Sequence, residues 1–221
     1  VGDAPPLFAE VVMVRDDVIK LLGWRLGDRT DLAERIAYEM RLVQTNVLEE
    51  HEWLPWFLQK NWAGLTEPEV ETVPFPEDFL QEIEESHMYL TIPGERPLRL
   101  YKRDYDQAKA LTTGTGRPEY YAVLGTNFYF FPTPDAEYDL TMAYYGKDAD
   151  MSAENVETLW LKYASDLVIS TVGKELAEKH IQNPEAAAGF ANDIVVAWDR
   201  LYKKHVGLSE VNMSRTMGGD S

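Results

Sequence analysis

The sequence predicts an α+β fold: an α-helical bundle, made of a long N-terminal helix and a C-terminal helical hairpin, carrying an inserted small antiparallel aromatic β-sheet domain. Three observations lead there. Apolar residues recur at helical spacing near both ends of the chain. Short apolar pieces punctuated by Pro68, Pro74, Pro76, Pro93 and Pro97 fill the middle. The stretch Arg117 to Tyr145 holds nine Tyr or Phe among 29 residues, laid out with the alternation of strands. The expected boundaries are 1–60 and 152–206 for the helical bundle, 61–151 for the β-rich insertion and 207–221 for a flexible C-terminal tail.

Residues 9–22 place Val11, Val12, Val14, Val18, Ile19, Leu21 and Leu22 so that one helix is expected, stopping at Gly23. A second helix begins at Asp31, a capping residue with Glu34 three positions on. Its stripe is Leu32, Ile36, Met40, Val43 and Val47, and it ends near Glu52, before Pro55 in the aromatic run Trp53 to Phe57. Val70–Val73 and Met88–Ile92 read as short edge strands. Residues 102–111 can form a short helix before the turn-rich 112–118.

Tyr120 to Leu124 alternates across two faces, Gly125-Thr126-Asn127 turns the chain, and Phe128 to Phe131 returns it. After Pro132 and Pro134 a third strand, Tyr138 to Tyr145, completes a predicted meander. Large side chains on both faces require cover on both, from the rest of the chain or from a neighbouring subunit. From Ser152 the pattern is helical. Val156, Trp160, Tyr163, Leu167, Val168, Val172 and Leu176 make one stripe, Asn183-Pro184 caps and restarts the chain, and Phe190, Ile194, Ala197, Trp198 and Leu201 make the next.

Composition narrows the function. With no cysteine, disulfides, thiol nucleophiles and thiolate metal sites are excluded together. No apolar run approaches the ~20 residues that span a bilayer, and Val1 to Glu10 lacks a signal core, so a soluble protein without membrane contact is expected. A formal charge of −17 disfavours tight binding to nucleic acid, because phosphate affinity comes mainly from Lys and Arg.

The charge is unevenly placed. No Lys or Arg lies between Asn61 and Glu95, where Glu67, Glu69, Glu71, Glu77, Asp78, Glu82, Glu84 and Glu85 accumulate, and a basic block follows at Arg96, Arg99, Lys102, Arg103, Lys109 and Arg117. Such runs form solvated faces or, in a ring, a head-to-tail contact between one subunit's acids and the next subunit's bases. The candidate subunit-interface residues are therefore Glu67, Glu69, Glu71, Glu84, Glu85, Arg96, Arg99, Lys102 and Arg103.

Chemical motifs fail in turn. His51, His87, His180 and His205 show no metal-ligand spacing, and Pro55 stands where a zinc-protease helix would need its second histidine. Gly114-Thr115-Gly116 opens a strand instead of following one, and Gly173-Lys174 lacks the remaining glycine of a phosphate loop. Ser86 beside His87 is not a nucleophile and base pair, and no nucleophile elbow occurs. No catalytic residue, cofactor or metal is expected. Core packing accounts for most of the six tryptophans, and those near 53–62 can anchor an interface.

Taken in order, Trp53-Leu-Pro-Trp-Phe-Leu58, Pro76-Glu77-Asp78-Phe79, Pro118-x-Tyr-Tyr-x-x-x-Gly125, Pro132-x-Pro134 and the step from Tyr144-Tyr145 to Met151-Ser152 resemble the head-to-tail adaptor (connector) proteins of tailed bacteriophages, tail tubular protein A type, over roughly residues 25–205. The resemblance implies a twelve-subunit ring beneath the capsid portal, extending the DNA channel and offering the tail or nozzle protein a platform. Double-stranded DNA would pass through without specific binding. The protein would reside at the head–tail junction of the virion, and in the host cytoplasm during assembly.

The tail bearing Val211, Met213, Arg215 and Met217 is the candidate portal contact, ordering on docking. An acidic DNA mimic that occupies a host DNA-binding enzyme is the competing reading. The basic block at 96–117 counts against it.

Overall fold

The computed structural model describes residues 13–84 and 86–217, with side chains through Leu208. The chain divides into two compact units, Leu58–Lys147 and the joined segments 1–57 and 148–221.

In the discontinuous unit, α1 (Arg15–Arg25) is followed by a 3₁₀ turn (Thr30–Leu32), α2 (Ala33–Val43) and a π turn (Gln44–Leu48). Gly23 does not stop α1. It is buried inside the helix, where its carbonyl accepts the Arg29 amide at 2.9 Å, and an added Cβ would lie 3.2 Å from the Arg29 carbonyl oxygen. The glycine thus serves a close return of the chain over the helix. Asp31 does not cap α2 either, since its carboxylate pairs with Arg29 at 2.7 Å in the preceding turn.

A short 3₁₀ turn at Trp56–Leu58 leads into the β-rich unit, which proceeds through β1 (Gln59–Leu65), β2 (Thr72–Pro74), β3 (Phe79–Glu82), β4 (Met88–Thr91) and β5 (Leu98–Lys102). Then come α3 (Tyr105–Leu111), β6 (Thr115–Gly116), β7 (Tyr120–Leu124), β8 (Asn127–Phe131), β9 (Thr133–Pro134) and β10 (Asp139–Gly146). Eight of these strands form one nearly closed mixed sheet in the order β1-β10-β4-β5-β7-β8-β2, with β3 also on β10. β6 and β9 pair separately.

This corrects the expectation of a helical bundle carrying a small antiparallel aromatic sheet. The sheet is large, and it is mixed because β5 and β7 run parallel across the α3 crossover. The expected three-strand meander is also broken. β7 and β8 pair as a hairpin, but β8 turns its other edge to β2, while β10 lies in the interior against β1, β3 and β4.

The physical reason is the two-sided apolar character of the aromatic strands. Tyr121, Phe128 and Phe130 face the sheet core with Met88, Leu90, Leu100, Leu140, Met142 and Tyr144. Ala122 and Phe131 face the other way against Ala108, with Tyr105, Tyr120 and Tyr129 packed beside them. Covering both sides takes α3 and five more strands.

The chain then returns to the first unit through α4 (Leu159–Leu176), a π turn (Ala177–Ile181) and α5 (Pro184–Met217). Thr158 caps α4, its buried hydroxyl accepting from the Leu161 amide at 3.3 Å. Asn183 accepts from the Ala186 amide at 3.1 Å just before Pro184, as the cap and first-turn proline required. α4 and α5 pack closely enough that an added Cβ on Gly173 would sit 2.6 Å from the Phe190 ring. α5 continues past Gly207, where the composition pointed to the start of the tail.

Candidate functional site

On β5, Arg99 and Tyr101 lie on the solvent side while Leu100 is buried, the alternation of a half-buried strand. The neighbouring strands extend this face. Tyr89 of β4 is the cross-strand partner of Arg99, and Tyr120 of β7 is the partner of Tyr101. The Arg99 guanidinium sits 5.2 Å from the Tyr101 ring centre, Arg103 sits 5.9 Å from that of Tyr120, and the two tyrosine rings are 6.5 Å apart. His87 meets Tyr89 edge-on at 6.4 Å. Alternating guanidinium and phenol groups thus form a strip whose cations rest on aromatic faces.

Beside the strip a cavity of about 710 Å³ is lined by Glu82, Glu84, His87, Arg99, Lys102, Arg103 and Tyr121 among others. Glu82 is committed inside this subunit. One carboxylate oxygen accepts the Tyr121 hydroxyl at 2.9 Å and the other holds the Lys102 ammonium. Burial, with the Glu82 charge and hydrogen bond, pushes the Tyr121 hydroxyl well above the usual phenol range, so it remains a donor.

The acidic and basic blocks therefore meet partly within one subunit. Lys102 pairs with Glu82, and Arg117 approaches Glu95 at 3.8 Å. Glu84, Arg99, Lys102 and Arg103 share the cavity, whereas Arg96 is exposed on the turn before β5. Glu67 and Glu69 project from the loop between β1 and β2, and Glu71 is half-buried beside them. Glu85 lies outside the described residues. Val211, Met213, Arg215 and Met217 fall on the last turns of α5, and their side chains also lie outside the described residues.

Tyr89, Tyr101 and Tyr120 were not among the interface candidates that the sequence offered. The signal was present as Arg99-x-Tyr101-x-Arg103, one face of a strand, but proximity to the proline-rich stretch made it read as charge alone.

The helical unit carries its own exposed apolar surface. Trp24 is 77% exposed at the rim of a groove of about 620 Å³ lined by Met13, Ile19, Leu21 and Gly23, and Val195, Val196 and Tyr202 are exposed on α5. Tyr202 also belongs to a half-buried aromatic cluster: His51 stacks on Trp198 at 3.8 Å, and Trp53 meets Trp198, Tyr202 and His205 at 5.1 to 5.6 Å. Burial alone lowers the His205 pKa.

One acid and base contact in this unit joins α2 to the π turn that follows α4. Glu39, almost fully buried, lies 3.0 Å from His180 Nε2, and Arg35 lies 3.1 Å from His180 Nδ1. It is a tie between elements. Among the described residues no group of three or more His, Asp or Glu side chains is placed to hold a metal ion, and no helix is long and apolar enough to cross a membrane.

None of the curated proteins matches the chain. The family model described as SU10 adaptor protein matches residues 16–216, nearly the whole sequence and both structural units. The chain therefore belongs to the SU10 adaptor protein family and is a phage structural adaptor, of a class that is typically non-enzymatic.

Proposed function

We propose that copies of this protein assemble as a twelve-membered ring at the head–tail junction, seated beneath the portal, lengthening the DNA channel and presenting a platform to the tail or nozzle protein, in the manner of the tail tubular protein A type. Family membership implies contact with portal and tail proteins and a place in the virion. The observation that carries the reading is the combination of that membership with exposed, unsatisfied surface on both units. Trp24, Val195, Val196 and Tyr202 on the helices, and the Tyr–Arg strip on the sheet, are compositions that suit protein interfaces better than open water.

A charge of −17 repeated around such a ring surrounds the channel with a field that repels phosphate. DNA then passes without adhering. The last turns of α5, with Val211, Met213, Arg215 and Met217, supply the portal contact, and the acidic and basic residues of the sheet unit supply contacts between subunits.

Electron microscopy of the purified protein mixed with its portal tests this reading. A closed twelve-fold ring with a central hole is expected. Portal particles that bear single copies, or a ring of different order, overturn it.

A further inference from the structure

Two surfaces of the sheet unit are complementary and unsatisfied within one chain. On the strip, Arg99 and Arg103 have no carboxylate within 4 Å among the described residues, since the nearby Glu82 is taken by Lys102 and Tyr121. Both guanidinium groups are held over Tyr101 and Tyr120, so little side-chain freedom remains to be lost when a carboxylate arrives. Arg and Tyr in this arrangement are the residues in which binding energy concentrates.

The second surface is the loop from Leu65 to Glu71. Glu67 and Glu69 flank Pro68 and have no cation within 4 Å among the described residues, and Leu65 and Val70 on either side are exposed aliphatics. The loop is rigid. The buried Thr66 hydroxyl donates to the Ala136 carbonyl at 3.0 Å and accepts the Tyr138 amide at 2.9 Å, and the Glu69 amide donates to the Pro134 carbonyl at 2.8 Å. Glu69 itself is held at φ +65, in the left-handed region.

We propose that the strip formed by Tyr89, Arg99, Tyr101, Tyr120 and Arg103 receives the Leu65–Glu71 loop of a second copy of this chain. The two glutamates meet the two arginines, and the aliphatics rest on the tyrosine rings. The inference rests on the multi-copy reading above and names the pairing within it. Strip and loop are different surfaces, so every copy offers one of each, which is the head-to-tail kind of contact that propagates around a closed ring. Nucleic acid is a poorer occupant, because the chain as a whole carries a formal charge of −17.

The absence of cysteine makes the test clean. Two full-length variants, Pro68→Cys and Tyr89→Cys, are loaded together onto purified heads carrying the portal and treated with a short bismaleimide. A cross-linked dimer in the mixture, and none with either variant alone, is expected. Adding Arg99→Glu and Arg103→Glu to the Tyr89→Cys protein abolishes the dimer, and adding Glu67→Lys and Glu69→Lys to the Pro68→Cys protein restores it. Heads that carry several copies by microscopy yet give no dimer overturn this pairing and leave the ring standing. Heads that carry no multi-copy assembly overturn both.

Discussion

Tyr144 donates its phenol hydroxyl to Asp78 Oδ1 at 2.7 Å, joining the most heavily paired strand of the sheet to the segment that leads into β3. The other carboxylate oxygen accepts the Lys60 ammonium at 2.5 Å, and Lys60 also donates to the Lys147 carbonyl at 2.7 Å. Two strands and the approach to a third are tied at one carboxylate. Replacing Tyr144 by Phe keeps the packing and removes one charge-assisted hydrogen bond. The expected loss is about 1–2 kcal/mol, toward the lower end for such bonds because Asp78 is partly exposed. Urea unfolding followed by near-UV circular dichroism measures it, and an unchanged midpoint refutes the assignment.

The same pair sets a pH window. Burial alone would raise the Asp78 carboxyl, but the hydrogen bonds from Lys60 and Tyr144 outweigh it and hold the group below its ordinary 3.8. Its contribution is therefore complete above 3.8 and is lost as pH falls through the lower folded value. For Tyr144, burial followed by the Asp78 hydrogen bond pushes the phenol up to about 12, so its contribution is complete below 10.0 and is lost as pH rises through the folded value. A plot of the urea midpoint against pH should fall at both ends. Asp78→Asn should flatten the acid limb and leave the helical unit's transition in place.

Much of this arrangement was legible in the sequence and its connectivity was not. The aromatic strands, the Asn183-Pro184 restart and the stripes of α2, α4 and α5 follow from spacing, because each reports which face a residue buries. Sheet order depends on partners distant in the chain. Gln59 to Leu65 carries no strong apolar alternation, yet it pairs along its whole length with β10, and one of its residues, Trp62, reaches Phe128 at 5.4 Å. The nearby prolines suggested an edge position for β4, but Pro93 and Pro97 sit in the turn that follows it and leave it free to pair with β10 and β5. Pairing in cis between Lys102 and Glu82 was equally hidden, since charge runs give no geometry. The Arg99-x-Tyr101-x-Arg103 face needed only the strand assignment to be read.

The start of α4 rests on two side chains. Thr158 is buried in extended conformation and its hydroxyl accepts from the Leu161 amide, while the Trp160 amide donates to Asp148 Oδ2 at 3.0 Å. Thr158→Ala leaves one helix-end donor without a partner in a place water does not reach. A loss of about 1–2 kcal/mol is expected, against a smaller one for Thr158→Ser, which keeps the accepting oxygen. Thermal unfolding of both variants distinguishes a capping role from simple packing, since packing alone would make Ser and Ala similar.

Trp24 separates folding from assembly. Its indole is largely in solvent at the rim of an apolar groove, so Trp24→Ser removes little buried surface and should leave the unfolding midpoint within about 0.5 kcal/mol of the parent. An aromatic anchor placed in this way contributes to binding when a partner covers it, and its truncation at an interface typically costs more than 2 kcal/mol, roughly a thirtyfold loss of affinity. Retention of the Trp24→Ser protein on portal-bearing heads, titrated against the parent by sedimentation, reads that difference. Equal retention at every concentration would remove this face of the helical unit from the assembly contacts, whereas weakened retention with unchanged stability assigns it to them.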